Sequence, residues 1–386
     1  MKNDSIKVIH TFPIWLPQTQ TWMYTQVKYL PKNVETYVVC DVKKNLEQFA
    51  VPNIHCQREY SLLSFYWDKV LRKLNRKPKR DFLASVAIKH DVDVIHSHFG
   101  NIGWENQEIA RQVGAQHVVT YYGYDVSMLP AKNRIWISRY RELFAIANAF
   151  LCEGPHMREQ LIRMGCPAKK IKVHHLGIDL DRFPYRPRKW DTKEPFRVLI
   201  AATFQEKKGI PYALQALATI DGNFPLEVTV IGDATPEKRS VREKEKILDI
   251  VENSRLKSKT RFLGFQPYFR LIDEIYKHHV FILPSVTASN GDTEGGAPVT
   301  LIEVMATGMP IVSTVHCDIP EVVQYGRDNW LVDERDVHGL VDRIMWLINS
   351  SNEWDPMLLA GRFHVEKEYA ARLQGIRLAQ TYREIL

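Results

Sequence analysis

Along nearly its whole length the chain switches between two hydrophobic periods. Short apolar runs bounded by glycine, proline or polar clusters read as buried strands, and between them apolar positions recur at helical spacing. In the first half the strand runs are Ile6–Phe12, Thr36–Cys40, Val92–His98, Gln116–Tyr122, Phe150–Glu153 and Lys172–His175. In the second half they are Phe196–Ala202, Glu227–Gly232, Thr260–Gly264, Phe281–Leu283, Pro310–Thr314 and a short edge strand at Asn329–Val332. Helices are predicted up to Leu30, within Gly154–Gly165, from about Pro211, and over Val241–Leu256, Leu340–Asn349 and Met357–Thr381. Strands alternating with helices predict an α/β architecture with parallel sheets. Arg186–Pro195, rich in charge and proline, reads as a linker, so a first domain over 1–190 and a second from 191 are expected.

The stretch Phe281–Pro310 carries the most chemistry. A buried strand stopped by Pro284 leads into a polar, glycine-rich loop, Ser289–Gly296, and a helix is expected to start at Ala297 or Pro298. Val299, Ile302, Met305 and Ala306 give that helix an apolar face, and Gly308 with Pro310 ends it. Glycines ahead of a helix let backbone N–H groups approach an anion, which the helix dipole also favours, so Gly295, Gly296, Ala297, Pro298 and Val299 form a candidate phosphate seat. Glu294 in the loop and Glu303 in the helix flank it. Carboxylates beside a phosphate fit a ligand that also presents hydroxyls, as a sugar nucleotide does. A glycine-rich turn with one capping acid and one solvated acid is the plainer alternative.

Length and composition narrow the class. The 386 residues suffice for two domains of ordinary size. Five scattered cysteines without zinc spacing point to reduced thiols and a cytoplasmic setting. No signal-like or membrane-spanning apolar run is apparent, so peripheral contact at the inner membrane face is the only membrane association expected. Charge is uneven: residues 1–190 hold 29 Lys and Arg against 17 Asp and Glu (+12), the rest 23 against 28 (−5). A basic first half suits an anionic acceptor or an anionic membrane, and no nucleic-acid-binding motif appears. Phe65, Tyr66 and Trp67 precede seven basic residues between Lys69 and Arg80. That run reads either as a solvated helix end or as a peripheral membrane contact. The loop Pro13–Thr21 lacks the G-x-G-x-x-G of an ordinary dinucleotide-binding domain.

The loop and helix around Glu294 and Glu303 resemble the acidic signature of retaining glycosyltransferases of family four, which have the GT-B fold. The usual gap between the two acids is seven residues; here eight lie between them. The likeness is greatest to the subgroup that builds bacterial exopolysaccharides and colanic-acid-like polymers, and it extends to Val312–Glu321 and over almost the whole chain. It implies two doubly wound, Rossmann-like domains facing a crevice. Residues 1–190 would bind the acceptor and 191–365 the nucleotide sugar, and a closing segment, 366–386, would pack back on the first domain. It further implies that Lys208, immediately before Gly209, meets the diphosphate, with Lys207 as a second cation or the pair as plain surface lysines. Glu303 would hold ribose hydroxyls, Glu294 sugar hydroxyls, and the loop at Gly264 the base. Thr203 stands where similar enzymes carry an arginine.

On the acceptor side, Tyr122-Gly123-Tyr124-Asp125 resembles the family's segment of histidine, glycine, any residue and aspartate, with Tyr122 in the histidine's place. Tyrosine can donate a hydrogen bond but carries no positive charge near neutrality. His96 and His98 are expected on opposite faces of their strand, leaving His98 as the candidate and no shared metal. The Asp91/Asp93 pair introduces a strand rather than following one, unlike the metal-binding D-x-D of other glycosyltransferases. The resemblance thus implies metal-independent hexose transfer, without cofactor, from a nucleoside-diphosphate sugar to a saccharide or lipid-linked acceptor. A nucleotide-sugar epimerase of the same architecture and a non-catalytic sugar-nucleotide-binding scaffold stay open as alternatives.

Overall fold

The computed structural model describes residues 5–17, 20–47, 49–220, 222, 224–324 and 330–386. Contacts divide the chain into two units, 1–178 with 370–386, and 179–369. The linker composition at 186–195 therefore lies inside the second unit, beyond the contact boundary.

The first unit is built on seven parallel strands: β1 (Ile6–Trp15), β2 (Val34–Lys43), β3 (Ile54–Cys56), β4 (Val94–His98), β5 (Gln116–Thr120), β6 (Ala149–Cys152) and β7 (Ile171–Val173). Their order is β3-β2-β1-β4-β5-β6-β7. β1 pairs with β2 on one side (Val8↔Thr36) and β4 on the other (Val8↔Val94), so strand order reverses there. β4 is buried throughout and β1 nearly so, as expected of parallel strands covered on both faces. β3 was not expected from the pattern; it is a three-residue edge strand registered on β2 through Cys40↔Cys56.

The second unit holds β8 (Phe196–Ala201), β9 (Leu226–Ile231), β10 (Thr260–Phe262), β11 (Val280–Leu283), β12 (Ile311–Thr314) and β13 (Leu331–Val332), in the order β10-β9-β8-β11-β12-β13. Of the predicted edge strand, Asn329 lies outside the described residues. Order reverses between β8 and β11, which pair through Val280↔Val198. Loops leaving the carboxyl ends of two such strands diverge around a natural ligand position.

The long closing helix expected over Met357–Thr381 is instead two helices, Trp354–Glu368 and Ala371–Ile385, broken where the chain leaves the second unit for the first. The last helix adds Leu378, Ala379 and Tyr382 to a core that includes Ile6, Val8, Val94 and Val118. Among the described residues no helix is long and apolar enough to cross a membrane.

Candidate functional site

At the β8/β11 switch point, two loops meet. β8 runs into Thr203 and then a single 3-10 turn, Glu206–Lys208, closed by Gly209 in the left-handed region. β11 runs into the Pro284–Pro298 loop, and helix Val299–Thr307 follows with Pro298 as its N-cap, just after the expected start at Ala297 or Pro298. The two loops are stitched together. Val286 N donates to the Lys207 carbonyl (2.8 Å), and Ser289 donates through its backbone N (2.9 Å) and its hydroxyl (2.7 Å) to the Glu206 carboxylate.

Within this frame Lys208 Nζ lies 2.7 Å from Glu294 Oε2, and Ser285 Oγ donates to Glu294 Oε1 at 2.8 Å. Burial pushes the Glu294 carboxyl up, but Lys208, Lys207 and the Lys208 and Ser285 hydrogen bonds outweigh it and hold it below its ordinary value. Lys207 Nζ reaches the Asp292 carboxylate (3.2 Å) and the Thr293 carbonyl (3.0 Å). His316 completes the loop's support: its Nε2 lies 3.2 Å from Glu294 N and its Nδ1 2.6 Å from Glu334 Oε1. The Pro298 cap makes no side-chain hydrogen bond, and within the helix's first turn Leu301 N donates to the Pro298 carbonyl at 2.9 Å.

Glu303 sits in the helix and is buried; Tyr268 Oη donates to its Oε1 at 2.5 Å. Burial raises its carboxyl to about 7, against the opposing pull of the Tyr268 bond and the Arg182 charge. The Arg182 guanidinium also lies over the Tyr268 ring, 5.9 Å from its centre. Gly264 pairs with Gly232, accepting its N–H at 2.9 Å, just before the Tyr268 helix. Thr203 lies between β8 and the 3-10 turn Glu206–Lys208, its carbonyl accepting from Gln205 N at 2.8 Å. The charged second-unit candidates thus fall into two neighbourhoods. One is the Lys207, Lys208, Asp292 and Glu294 charge cluster; the other is Glu303 with Tyr268 and Arg182. Sequence reasoning missed Ser285, His316, Tyr268 and Arg182. His316 lay within the compared Val312–Glu321 segment and Tyr268 at a proline-led helix start, but nothing local marks either as a partner of an acid.

In the first unit, Tyr122, Gly123 and Asp125 follow β5. Asp125 accepts from Tyr122 N (2.8 Å) and Gly100 N (2.5 Å), and burial raises its carboxyl to about 7. Tyr122 Oη bonds His98 Nδ1 at 2.7 Å, and the Trp22 ring packs 4.2 Å from the Tyr122 ring.

The expectation that His96 and His98 face opposite ways is corrected here: residues two apart on a strand share a face. Their rings stack with centres 4.3 Å apart, and His10 from β1 joins them. Together the three offer ligand nitrogens within 4.8 Å of one another, a set able to reach one metal ion. In the structure all six ring nitrogens lie in a hydrogen-bonded chain instead. It runs from Thr120 Oγ1 to His96 (2.6 Å), from His96 to Tyr382 Oη (2.7 Å), from Tyr382 to His10 (3.4 Å), from His10 to His98 (3.0 Å), and on to Tyr122. Burial drops all three imidazoles below their ordinary value, His10 to about 3, so they are neutral. Asp93, of the D-x-D pair, accepts from Lys7 N at 2.8 Å.

Residues 183–357 match the family described as Glycosyl transferases group 1, and residues 19–182 match Glycosyltransferase Family 4. WcaL of Escherichia coli, a candidate colanic acid biosynthesis glycosyltransferase, is 31% identical over 301 residues, covering 76% of this chain and 71% of that one. AmsK of Erwinia amylovora, an amylovoran biosynthesis glycosyltransferase, is 29% identical over 296 residues, covering 75% and 69%. Among solved structures, Anabaena HepE in complex with UDP and glucose superposes with a TM-score of 0.77 at 15% identity, covering 97% of this chain and 99% of that one. Sucrose-phosphate synthase of Thermosynechococcus elongatus gives 0.72 at 17%, covering 98% and 99%. These two likenesses carry the fold, two parallel doubly wound sheets of the GT-B type. With that fold, both family matches and the WcaL identity, the chain belongs to the family-four glycosyltransferases carrying the group 1 domain.

Proposed function

We propose that the chain transfers a hexose, with retention, from a nucleoside-diphosphate sugar to a saccharide or lipid-linked acceptor during synthesis of a cell-surface polysaccharide, at the cytoplasmic side of the membrane. The observation that carries this reading is the meeting of Lys208 and Glu294, 2.7 Å apart, at the switch point of the second sheet. Without ligand, the acid is the lysine's partner. In the reaction, Lys208 turns to the departing diphosphate, aided by the N–H groups of Gly295, Gly296, Ala297 and Val299, while Glu294 takes donor-sugar hydroxyls. Lys207 and Thr203 stand beside the diphosphate, Glu303 accepts the ribose hydroxyls, and the loop at Gly264 borders the base. The acceptor engages the first unit near His98, Tyr122, Gly123 and Asp125. The polysaccharide setting is supported by the names of WcaL and AmsK, and the nucleotide-sugar donor by the UDP and glucose bound to HepE. No step is assigned to a metal, so activity should survive chelation.

The test is a screen of labelled nucleotide sugars, with and without lipid extract, on the wild-type protein and on Lys208→Ala. Acceptor-dependent release of nucleoside diphosphate is expected. Lys208→Ala should lower kcat/KM roughly 10- to 150-fold, the worth of one charge-assisted bond at about 1.5–3 kcal/mol. An isomerised donor would make the protein an epimerase, and donor binding without turnover a scaffold; either result overturns the proposal.

A further inference from the structure

The hydrogen-bonded chain through His10, His96 and His98 has a direction. Each imidazole is buried, neutral and bonded to no carboxylate, so it carries one N–H and one lone pair. Starting from Thr120, the hydroxyl meets Nε2 of His96, and Nδ1 of His96 meets Tyr382. Tyr382 meets Nε2 of His10, Nδ1 of His10 meets Nε2 of His98, and Nδ1 of His98 meets Tyr122. Every ring therefore turns Nε2 toward the Thr120 end and Nδ1 toward the Tyr122 end. Two arrangements satisfy the whole chain. In one, all three rings are protonated on Nδ1, Thr120 donates into the chain and Tyr122 accepts at its end. In the other, all three are protonated on Nε2 and Tyr122 donates. Any mixed set breaks a link or strands the buried Tyr382 proton, which is costly without water.

The two senses differ in what Tyr122 offers a ligand. Its hydroxyl also bonds that of Thr120, so without a ligand either sense pairs every proton. With the rings protonated on Nε2, the Tyr122 proton is spent on His98. With the rings protonated on Nδ1, it is free for a substrate oxygen, and His98 fills a Tyr122 lone pair from behind. We infer that His10, His96 and Tyr382 are positioning residues, which act with His98 as one all-or-none relay that turns the Tyr122 hydroxyl. A substrate oxygen that takes the Tyr122 proton then fixes all three rings as Nδ1–H. Tyr382, on the closing helix Ala371–Ile385, joins the His96 part of the relay to the His10 part. Placing Tyr122 at the substrate rests on the proposed transfer reaction; the relay itself does not.

The test reads the ring protons directly, by long-range proton–nitrogen correlation spectra of the full chain carrying isotope-labelled histidine, at neutral pH and without ligand. A ring N–H points one way, whereas a hydroxyl can rotate to another acceptor, so removing an end hydroxyl should set the sense. Thr120→Val should leave all three rings as Nδ1–H, and Tyr122→Phe all three as Nε2–H, including the ring farthest from each substitution. Tyr382→Phe should split the set, with His96 as Nε2–H and His10 and His98 as Nδ1–H. Altered packing alone would not reverse a distant tautomer. Mixed tautomers in the wild type, a charged ring, or a response confined to the ring beside the substitution overturns the relay. So does zinc that binds these rings on titration, because a metal takes the lone pairs the chain uses. In turnover of a nucleotide sugar that the screen shows to be used, Tyr122→Phe should lower kcat/KM about 2- to 10-fold, the worth of one neutral hydrogen bond, and Thr120→Val should keep it within about twofold. A loss in Thr120→Val as large as that in Tyr122→Phe, with the tautomers as expected, means that Tyr122 does not act as a donor and overturns the substrate half. Expected tautomers in a protein that transfers no sugar bring down the proposed function and the substrate half with it, while the relay stands.

Discussion

Glu303 carries a tension at the scale of one side chain. Accepting ribose hydroxyls, the role proposed for it, suits an ionised carboxylate best, yet burial raises this carboxyl to about 7. Its folded value lies above its ordinary one, so between about 4.5 and 7 the unfolded chain has released a proton that the folded chain keeps. Over that window stability falls as pH rises, and it levels off above it. Asp125, also raised to about 7, adds a slope of the same sign. Glu303→Gln removes one of the two. The variant is expected to gain stability over wild type at pH 8 but not at pH 4, by on the order of 3 kcal/mol at most. Its donor affinity should be weakened at least tenfold at pH 8, and in wild type that affinity should rise with pH through 7. Denaturation and donor titration at the two pH values check this. An unchanged pH slope together with unchanged donor affinity would leave Glu303 as a packing residue.

At the scale of elements, the site depends on how closely the turn after β8 approaches the loop after β11. Gly209 sits at that approach with φ +63°, and a Cβ there would lie 1.8 Å from the Pro284 carbonyl oxygen. Gly264 has almost the same φ, +65°, but nothing within 4 Å of where its Cβ would be. Gly264→Ala should therefore cost about 1 kcal/mol of backbone strain, whereas Gly209→Ala should cost roughly 3 kcal/mol or more and displace Lys208 from Glu294. Thermal denaturation and donor binding on the pair separate strain from displacement; equal losses would mean that the close approach does not matter. This contrast also shows what could be read in advance. The Phe281–Pro310 strand, loop and helix were legible because apolar runs, glycines and proline mark them locally. That Lys208 would bond Glu294 was not, because 85 residues separate them in the chain and only the strand order brings them together. Tyr268 and His316 were hidden for the same reason. The error over His96 and His98 was of another kind, a mistaken strand period. The single helix expected over Met357–Thr381 failed because helical spacing continues across the break at Tyr369–Ala370, where tertiary contacts decide.

At the scale of the molecule, the first unit is discontinuous: its core takes Leu378, Ala379 and Tyr382 from the end of the chain. A protein ending at residue 369 would leave their places on Ile6, Val8, Val94 and Val118 open to water. The loss amounts to roughly 5 kcal/mol, comparable with the whole stability of an ordinary domain. Hydrogen exchange on that protein should show protection lost in β1, β4 and β5 and kept in β8, β9 and β11. Full protection of the first sheet would show that the last helix is dispensable to it. The same discontinuity sets an order of events during synthesis. As the polypeptide leaves the ribosome, the strands before residue 179 wait for residues 370–386, while residues 179–369 are already outside. The later half of the protein can then mature first, and the earlier half spends the interval as an open sheet, the period in which a chaperone has most to hold.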